Sequence, residues 1–202
     1  MHSDKPWDAR LAYRLVFPFR NSWLTPNYFT SLRLLFGILA CIALSRGSYL
    51  WGNIGAGCFV ISNFLDHTDG EFARMTGKSS RFGHYYDLIC DALVNVLLFL
   101  GIGFGLMQGS FGYYAMLMGT LSGVSVAAIF HMRHFIEETI GKSGARQPHF
   151  GGMEAEDVLY LLPLLSLTDQ LGHFLMLATI GAPLFALWVL TKYLPLKRRS
   201  AA

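Results

Sequence analysis

Residues 66–91 read DHTDGEFARMTGKSSRFGHYYDLICD. Asp66 and Asp69 stand three apart and Asp87 and Asp91 four apart, so on helices each pair shares a face. The apolar run Tyr49–Leu65 stops at Asp66, whereas the run Leu88–Met107 has begun before Asp91 is reached. A carboxylate inside an apolar helix is costly, and by default it marks function. Solvated acids at helix ends would account for Asp66 or Glu71 singly. They account poorly for Asp87 and Asp91, which continue into an apolar helix beside Leu88 and Ile89.

Outward from this segment lie further apolar runs, Tyr28–Ser45, Phe111–Phe135 and Val158–Leu190. The last is too long for one span of about 20 residues and is interrupted at Thr168-Asp169-Gln170-Leu171-Gly172. The pattern predicts six transmembrane helices, the fifth beginning near Gly152. Composition agrees. The 202 residues are 53% hydrophobic and 14% charged, and their mean hydropathy is +0.40. A soluble domain needs roughly 25% charged residues to clothe its surface. The 21 glycines without a short period exclude collagen, and the apolar content excludes disorder. Cys41, Cys58 and Cys90 sit in apolar runs and suggest no disulfide framework. The fold class is an all-α integral membrane protein. Met1–Arg20 is charged and has no apolar core, so it reads as part of the mature chain rather than a targeting peptide.

Charge placement sets orientation. Fifteen of the 16 Lys and Arg residues fall on one side of the predicted spans, Arg46 alone on the other. Twelve of the 13 acids share that side, Asp169 being the exception. The positive-inside rule then puts both termini in the cytoplasm of a cell whose cytoplasmic (inner) membrane holds the chain. Trp7, Leu11, Leu15 and Phe19 recur every four residues with Arg10, Arg14 and Arg20 between them. That spacing predicts an amphipathic interfacial helix, an irregular basic leader being the alternative. The organisation expected is a leader over 1–27, a six-helix transmembrane catalytic domain over 28–193 and a basic tail over 194–202.

Four carboxylates converging from neighbouring helices repel: at ~5 Å and an effective dielectric of about 20, each pair costs roughly 3 kcal/mol. Such a cluster needs cations, and an all-oxygen set suits hard divalent ions, Mg²⁺ above all, two of which would neutralise four aspartates. Gly70 and Ala73 leave their helix face bare, and Gly83 does the same one turn before Asp87. Arg74 adds a planar donor fork suited to phosphate. Ions, small residues and an Arg together describe a diphosphate site.

The pattern Asp66-x2-Asp69-Gly70-x2-Ala73-Arg74-x8-Gly83-x3-Asp87-x3-Asp91 resembles the full signature of the CDP-alcohol phosphotransferase family, with no departure at its eight fixed positions. Chance agreement is on the order of 10⁻¹⁰ per start point. Six spans, an amphipathic leader, and Pro26-Asn27 with Thr30 and Arg33 at the opening of the first span are similar to this family too.

The resemblance implies a cavity facing the cytoplasm in which a CDP-alcohol gives its substituted phosphate to a second alcohol and CMP is released. It implies that Asp66, Asp69 and Asp87 ligate a pair of divalent ions, Mg²⁺ with Mn²⁺ as a substitute, and that Asp91 contacts the second ion. Gly70, Ala73, Arg74 and Gly83 would shape the CDP-alcohol pocket, with Asp69 near the cytidine, and Asp91 would be the general base. No nucleophilic Ser or Cys is needed, and Cys90 reads as a packing residue. Phospholipid biosynthesis is the implied setting, with CDP-diacylglycerol as donor and a small polar alcohol as acceptor, on the strength of the compact length. The enzyme alternative reverses the roles, with CDP-choline or CDP-ethanolamine as donor and diacylglycerol as acceptor. A divalent-cation transporter is a distant third reading, since spans four and six hold no acid.

Other features point less sharply. Arg133 and His134, with Lys78, Arg81 and Arg146, are candidates to grip a polar acceptor, or else anchor the positive side. Glu154, Glu156 and Asp157 could favour an amine-bearing acceptor or pair with Arg133 or Arg146. His67 and His84 flank the motif, but Mg²⁺ prefers oxygen, which puts them behind the ligands. Gly101-x3-Gly105 and Gly119-x3-Gly123 permit close helix contact in spans three and four. They suit a homodimer through those helices, as the resemblance implies, or packing within one chain. Beyond membrane lipids the partners are the two substrates, and nucleic acid is not among them.

Overall fold

The computed structural model describes the backbone of residues 7–144 and 157–200, and side chains over 10–141 and 159–198. Seven α-helices are described, with no strand among the described residues: α1 (Trp7–Val16), α2 (Pro26–Leu44), α3 (Tyr49–Thr76), α4 (Arg81–Leu106), α5 (Tyr114–Gly144), α6 (Leu162–Leu167) and α7 (Leu171–Ser200). Among the described residues, four helical stretches are long and apolar enough to cross a membrane: Pro26–Leu44, Arg81–Leu106, Tyr114–Gly141 and Leu171–Arg198. The chain is a multi-pass helical membrane protein.

Polarity is distributed accordingly. Leu32, Leu35, Leu39 and Ile42 of α2 and Leu177, Ile180, Leu184 and Leu187 of α7 are exposed, while Thr30, Arg33, Ser62, Asp69 and Asn95 are buried. An aqueous surface would invert this arrangement; hydrocarbon favours it. The main core joins Leu44 of α2, Phe59 of α3, Leu98, Phe99 and Ile102 of α4, Leu162 of α6 and Leu175 of α7. A second cluster, Ile129, Met132, Ile136, Val189 and Tyr193, closes α5 on α7.

Local sequence sets the ends that matter. α2 opens at Pro26, where the missing N–H costs nothing and φ is already helical. α3 does not stop at Leu65, where the apolar run ends; it continues to Thr76 and terminates on Gly77, whose φ of 66° is the left-handed cap that glycine adopts without strain. At about 1.5 Å per residue, this places Asp66 and Asp69 on a helical extension of α3 beyond its apolar run. α4 starts at Arg81, well before its apolar run, because the Ser80 hydroxyl caps the Gly83 N–H at 2.9 Å.

Two sequence expectations meet the described residues only in part. The stretch read as a fifth span is described only from Asp157, as a 3₁₀ turn (Asp157–Leu161) leading into the six-residue α6. The start predicted for that span, near Gly152, lies outside the described residues. The glycine rows are spent inside the chain. A Cβ on Gly101 would lie 2.9 Å from Cys41 Cα and one on Gly105 2.2 Å from Leu44 O, so both admit α2. Likewise a Cβ on Gly119 would sit 2.4 Å from Phe99 O and one on Gly123 3.1 Å from Val96 Cα, so both admit α4. These glycines therefore carry no argument for a dimer.

Candidate active site

α3 and α4 run to the same end of the bundle, and the four-residue link between them holds their polar ends side by side. One carboxylate oxygen from each of Asp66, Asp69 and Asp87 lies within 4.8 Å of the others. Asp91, one turn deeper on α4, stands outside that triangle and reaches it through a third helix. Arg33 of α2 extends one guanidinium nitrogen, Nη1, 2.5 Å from Asp66 Oδ1 and 3.5 Å from Asp87 Oδ1, and the same nitrogen pairs with Asp91 Oδ1. Its side chain is 4% exposed. One helical turn earlier, the Thr30 hydroxyl donates to Asp69 Oδ2 at 2.7 Å. The Ser62 hydroxyl donates to Arg33 O at 2.8 Å and locks α2 to α3 at this level.

Thr30 and Arg33 thus touch all four aspartates between them. By the count of basic residues, Arg33 is one orienting charge among fifteen. Its true signal was its depth, seven residues into an apolar helix, where a charge needs a partner.

Two cavities flank the aspartates. The first, about 170 Å³, is lined by Thr30, Asp69, Gly70, Ala73, Gly83 and Asp87 among others. Bare glycine backbone supplies part of its wall: a Cβ on Gly83 would meet Asn27 Oδ1 at 2.8 Å, and one on Gly70 would meet Arg74 Nη2 at 3.4 Å. Arg74 lies over Gly70 rather than in the wall, and its Nη2 donates to the buried Glu71 Oε1 at 2.9 Å. The second cavity, about 160 Å³, is lined by Arg33, Asp66, Asp91, Asn95, Arg133 and His134 among others. Asn95 donates to Asp91 O at 2.9 Å, while its own buried Oδ1 has no hydrogen-bond partner.

The five residues expected to grip an acceptor are therefore dispersed. Arg133 and His134 border the second cavity, and Arg133 pairs with Glu137 at 3.6 Å. Lys78 lines the first, where its ammonium is tied to Ser22 O at 2.7 Å and Leu24 O at 3.0 Å. Arg81 borders a third groove between α4 and α5. Arg146 lies outside the described residues, as do Glu154 and Glu156.

Four aspartates face one guanidinium, so negative charge is in excess. Asp69, four residues beyond the apolar run of α3, shows the result: burial first, then the charges of Asp87 and Asp66, push its carboxyl up to about 8 against the Thr30 hydrogen bond and Arg33. Asp87 Oδ1 is buried without a hydrogen-bond partner. An all-oxygen donor set and an excess of carboxylate charge over the one guanidinium fit a hard divalent cation.

The fold and this acidic centre define a helical membrane protein whose clustered aspartates suit a divalent cation. The family model for CDP-alcohol phosphatidyltransferase matches residues 23–191, and the chain belongs to that family. It is 39% identical over 83 residues to an archaetidylinositol phosphate synthase of Pyrococcus horikoshii, covering 41% of this chain and 42% of that one. It is 34% identical over 88 residues to cholinephosphotransferase 1 of Xenopus laevis, covering 39% of this chain and 22% of that one. The matched stretch thus spans less than half the length of either relative. The fold is similar to that of Mycobacterium tuberculosis phosphatidylinositol phosphate synthase, solved with CDP-DAG bound: TM-score 0.66, 18% identity, 93% of each chain covered.

Proposed function

We propose that the chain transfers the phosphatidyl group of CDP-diacylglycerol to the hydroxyl of a small polar alcohol and releases CMP. One observation carries this reading: the aspartates stand between two cavities, one walled by glycine and the other by Asp91. The first receives the cytidine diphosphate, where Gly70, Ala73 and Gly83 let it approach backbone and Arg74 waits above Gly70 for the phosphates. Asp66, Asp69 and Asp87, with Asp91 reaching the second of two ions, would hold Mg²⁺, or Mn²⁺ in its place. Such ions supply charge stabilisation on the diphosphate oxygens. The acceptor enters the second cavity. Its hydroxyl oxygen attacks the β-phosphorus, the bond to the bridging oxygen breaks, CMP leaves with that electron pair, and Asp91 takes the hydroxyl proton. Arg33 holds Asp91 by Oδ1 and so fixes the direction of its other oxygen.

The polar lining of the second cavity, with Asn63, Asn95 and Arg133 neutralised by Glu137, suits a compact hydroxylated acceptor. A diacylglycerol acceptor would need an apolar wall there. The test offers CDP-diacylglycerol or CDP-choline to the purified chain with Mg²⁺ and a panel of acceptors. CMP is expected from CDP-diacylglycerol with a small alcohol, and none after chelation. CMP from CDP-choline with diacylglycerol would reverse the donor. Gly70→Ala separates site from fold: its nearest neighbour is the flexible tip of Arg74, so stability is expected to stay within about 1 kcal/mol. The added methyl intrudes on the donor cavity, and the donor KM is expected to rise roughly tenfold or more.

The same reading orients the molecule. Leu11, Leu15, Phe17 and Phe19 are exposed beside Arg10, Arg14 and Arg20, which suits an α1 lying in the cytoplasmic interface of the inner membrane. Both termini face the cytoplasm, the catalytic domain spans 28–193 in six passes between the leader (1–27) and the basic tail (194–202), and the aspartates open on the cytoplasmic side. A homodimer would use the exposed apolar faces of α4 and α5, at Ile89, Leu93, Leu117 and Leu121.

A further inference from the structure

We propose a second metal site, distinct in chemistry from the aspartate centre, formed by His84 of α4 with His134 and Glu138 of α5, and selective for a borderline transition ion of the Zn²⁺ class. His84 Nε2 and His134 Nε2 are 3.3 Å apart, Glu138 Oε1 is 3.4 Å from the first and 3.3 Å from the second. The three donor atoms form a nearly equilateral triangle.

That triangle has the size of one face of a coordination tetrahedron. With metal–nitrogen and metal–oxygen bonds of about 2.0–2.1 Å, tetrahedral ligands lie about 3.3–3.4 Å from one another. Hydrogen bonding alone does not satisfy the same geometry. Each neutral imidazole carries one N–H, which points along one direction in the ring plane. If both Nε2 atoms donate to Glu138, two N–H groups face each other. If one accepts, it gives up Glu138. A single cation above the triangle satisfies all three groups at once. Two imidazoles with one carboxylate favour Zn²⁺, Co²⁺ or Ni²⁺ over Mg²⁺, which prefers oxygen throughout.

The ligands line a groove of about 670 Å³ between α4 and α5, so a fourth position is open to water or a small ligand. His134 and Glu138 are four apart on one helix, a spacing that aims both side chains the same way. His84 precedes Asp87 by three residues on one face of α4, so an ion here ties the helix bearing Asp87 and Asp91 to α5. His131, which lines the same groove but is outside the triangle, is the internal control.

The test is Co²⁺ titration of the tag-free, detergent-purified full chain with Mg²⁺ saturating the aspartates, followed by visible absorption. The expected result is one equivalent of Co²⁺ with the intense bands of four-coordinate geometry. His84→Ala or His134→Ala should abolish them, Glu138→Gln should weaken binding at least tenfold, and His131→Ala should leave them unchanged. Bands that survive His84→Ala and His134→Ala, or Co²⁺ that shows only the weak spectrum of six-coordinate oxygen ligation, would overturn the site. Should the histidine variants fail to fold, X-ray absorption on the unsubstituted chain loaded with Zn²⁺ decides it: two nitrogen ligands support the proposal, and an all-oxygen shell refutes it.

Discussion

Replacing Asp91 by Asn is expected to slow CMP release by about 10²–10⁴-fold, the range that one positioned general base contributes. The amide keeps the shape of the carboxylate and its place one turn below Asp87, but it cannot take the hydroxyl proton. Asp91 lies outside the Asp66–Asp69–Asp87 triangle and lines the cavity on the far side from Gly70 and Gly83. Donor affinity is therefore expected to change far less than turnover. Equilibrium binding of the CDP-alcohol, measured beside the rate, checks the division. A variant that releases CMP at near the normal rate would remove Asp91 from the chemistry.

Arg33→Gln is expected to have the largest effect on stability. The guanidinium is buried and contacts Asp66, Asp87 and Asp91 at once. Removing one partner of a buried ion pair costs about 3–5 kcal/mol, because the opposite charge stays behind without compensation. Here three carboxylates are left facing each other. In chelator, the variant should melt well below the parent chain in detergent. Added Mg²⁺ should recover part of the loss, because a cation that binds the folded carboxylates stabilises the folded state by mass action. Equal melting of parent and variant in chelator would mean that Arg33 does not hold the aspartates together. Arg33→Lys keeps the charge but lacks the planar fork, so it should fall between the two.

The long apolar helices could be read from the apolar runs, because a bilayer imposes such runs directly. The acidic centre was legible for a different reason: spacings of three and four put each aspartate pair on one helix face, and α3 and α4 are indeed helical throughout residues 66–76 and 81–91. Arg33 was readable by the rule that singled out Asp91, a charge inside an apolar helix, yet counting it with the orienting charges hid it. The glycine rows could be read two ways because spacing permits close approach without naming the partner; the Cβ distances to Cys41, Leu44 and Phe99 name it. Of the predicted fifth span only the part from Asp157 is described, as a 3₁₀ turn and the short α6, with Pro163 in its first turn. His84 was set behind the ligands on the argument that Mg²⁺ prefers oxygen, and His134 was read as a grip on the acceptor. That argument concerns one ion only, and their meeting across 50 residues of chain is visible only once α4 packs on α5.

The central claim is transfer of the phosphatidyl group to an alcohol by direct attack on the β-phosphorus, and following that phosphorus tests it most directly. CDP-diacylglycerol labelled at the β-phosphate is incubated with the chain, Mg²⁺ and a small polar alcohol, and the products are separated into lipid and nucleotide. The label should appear in a new phospholipid that contains the alcohol, with unlabelled CMP formed in equal amount. Label in phosphatidic acid, formed at the same rate whether or not the alcohol is present, would contradict the account.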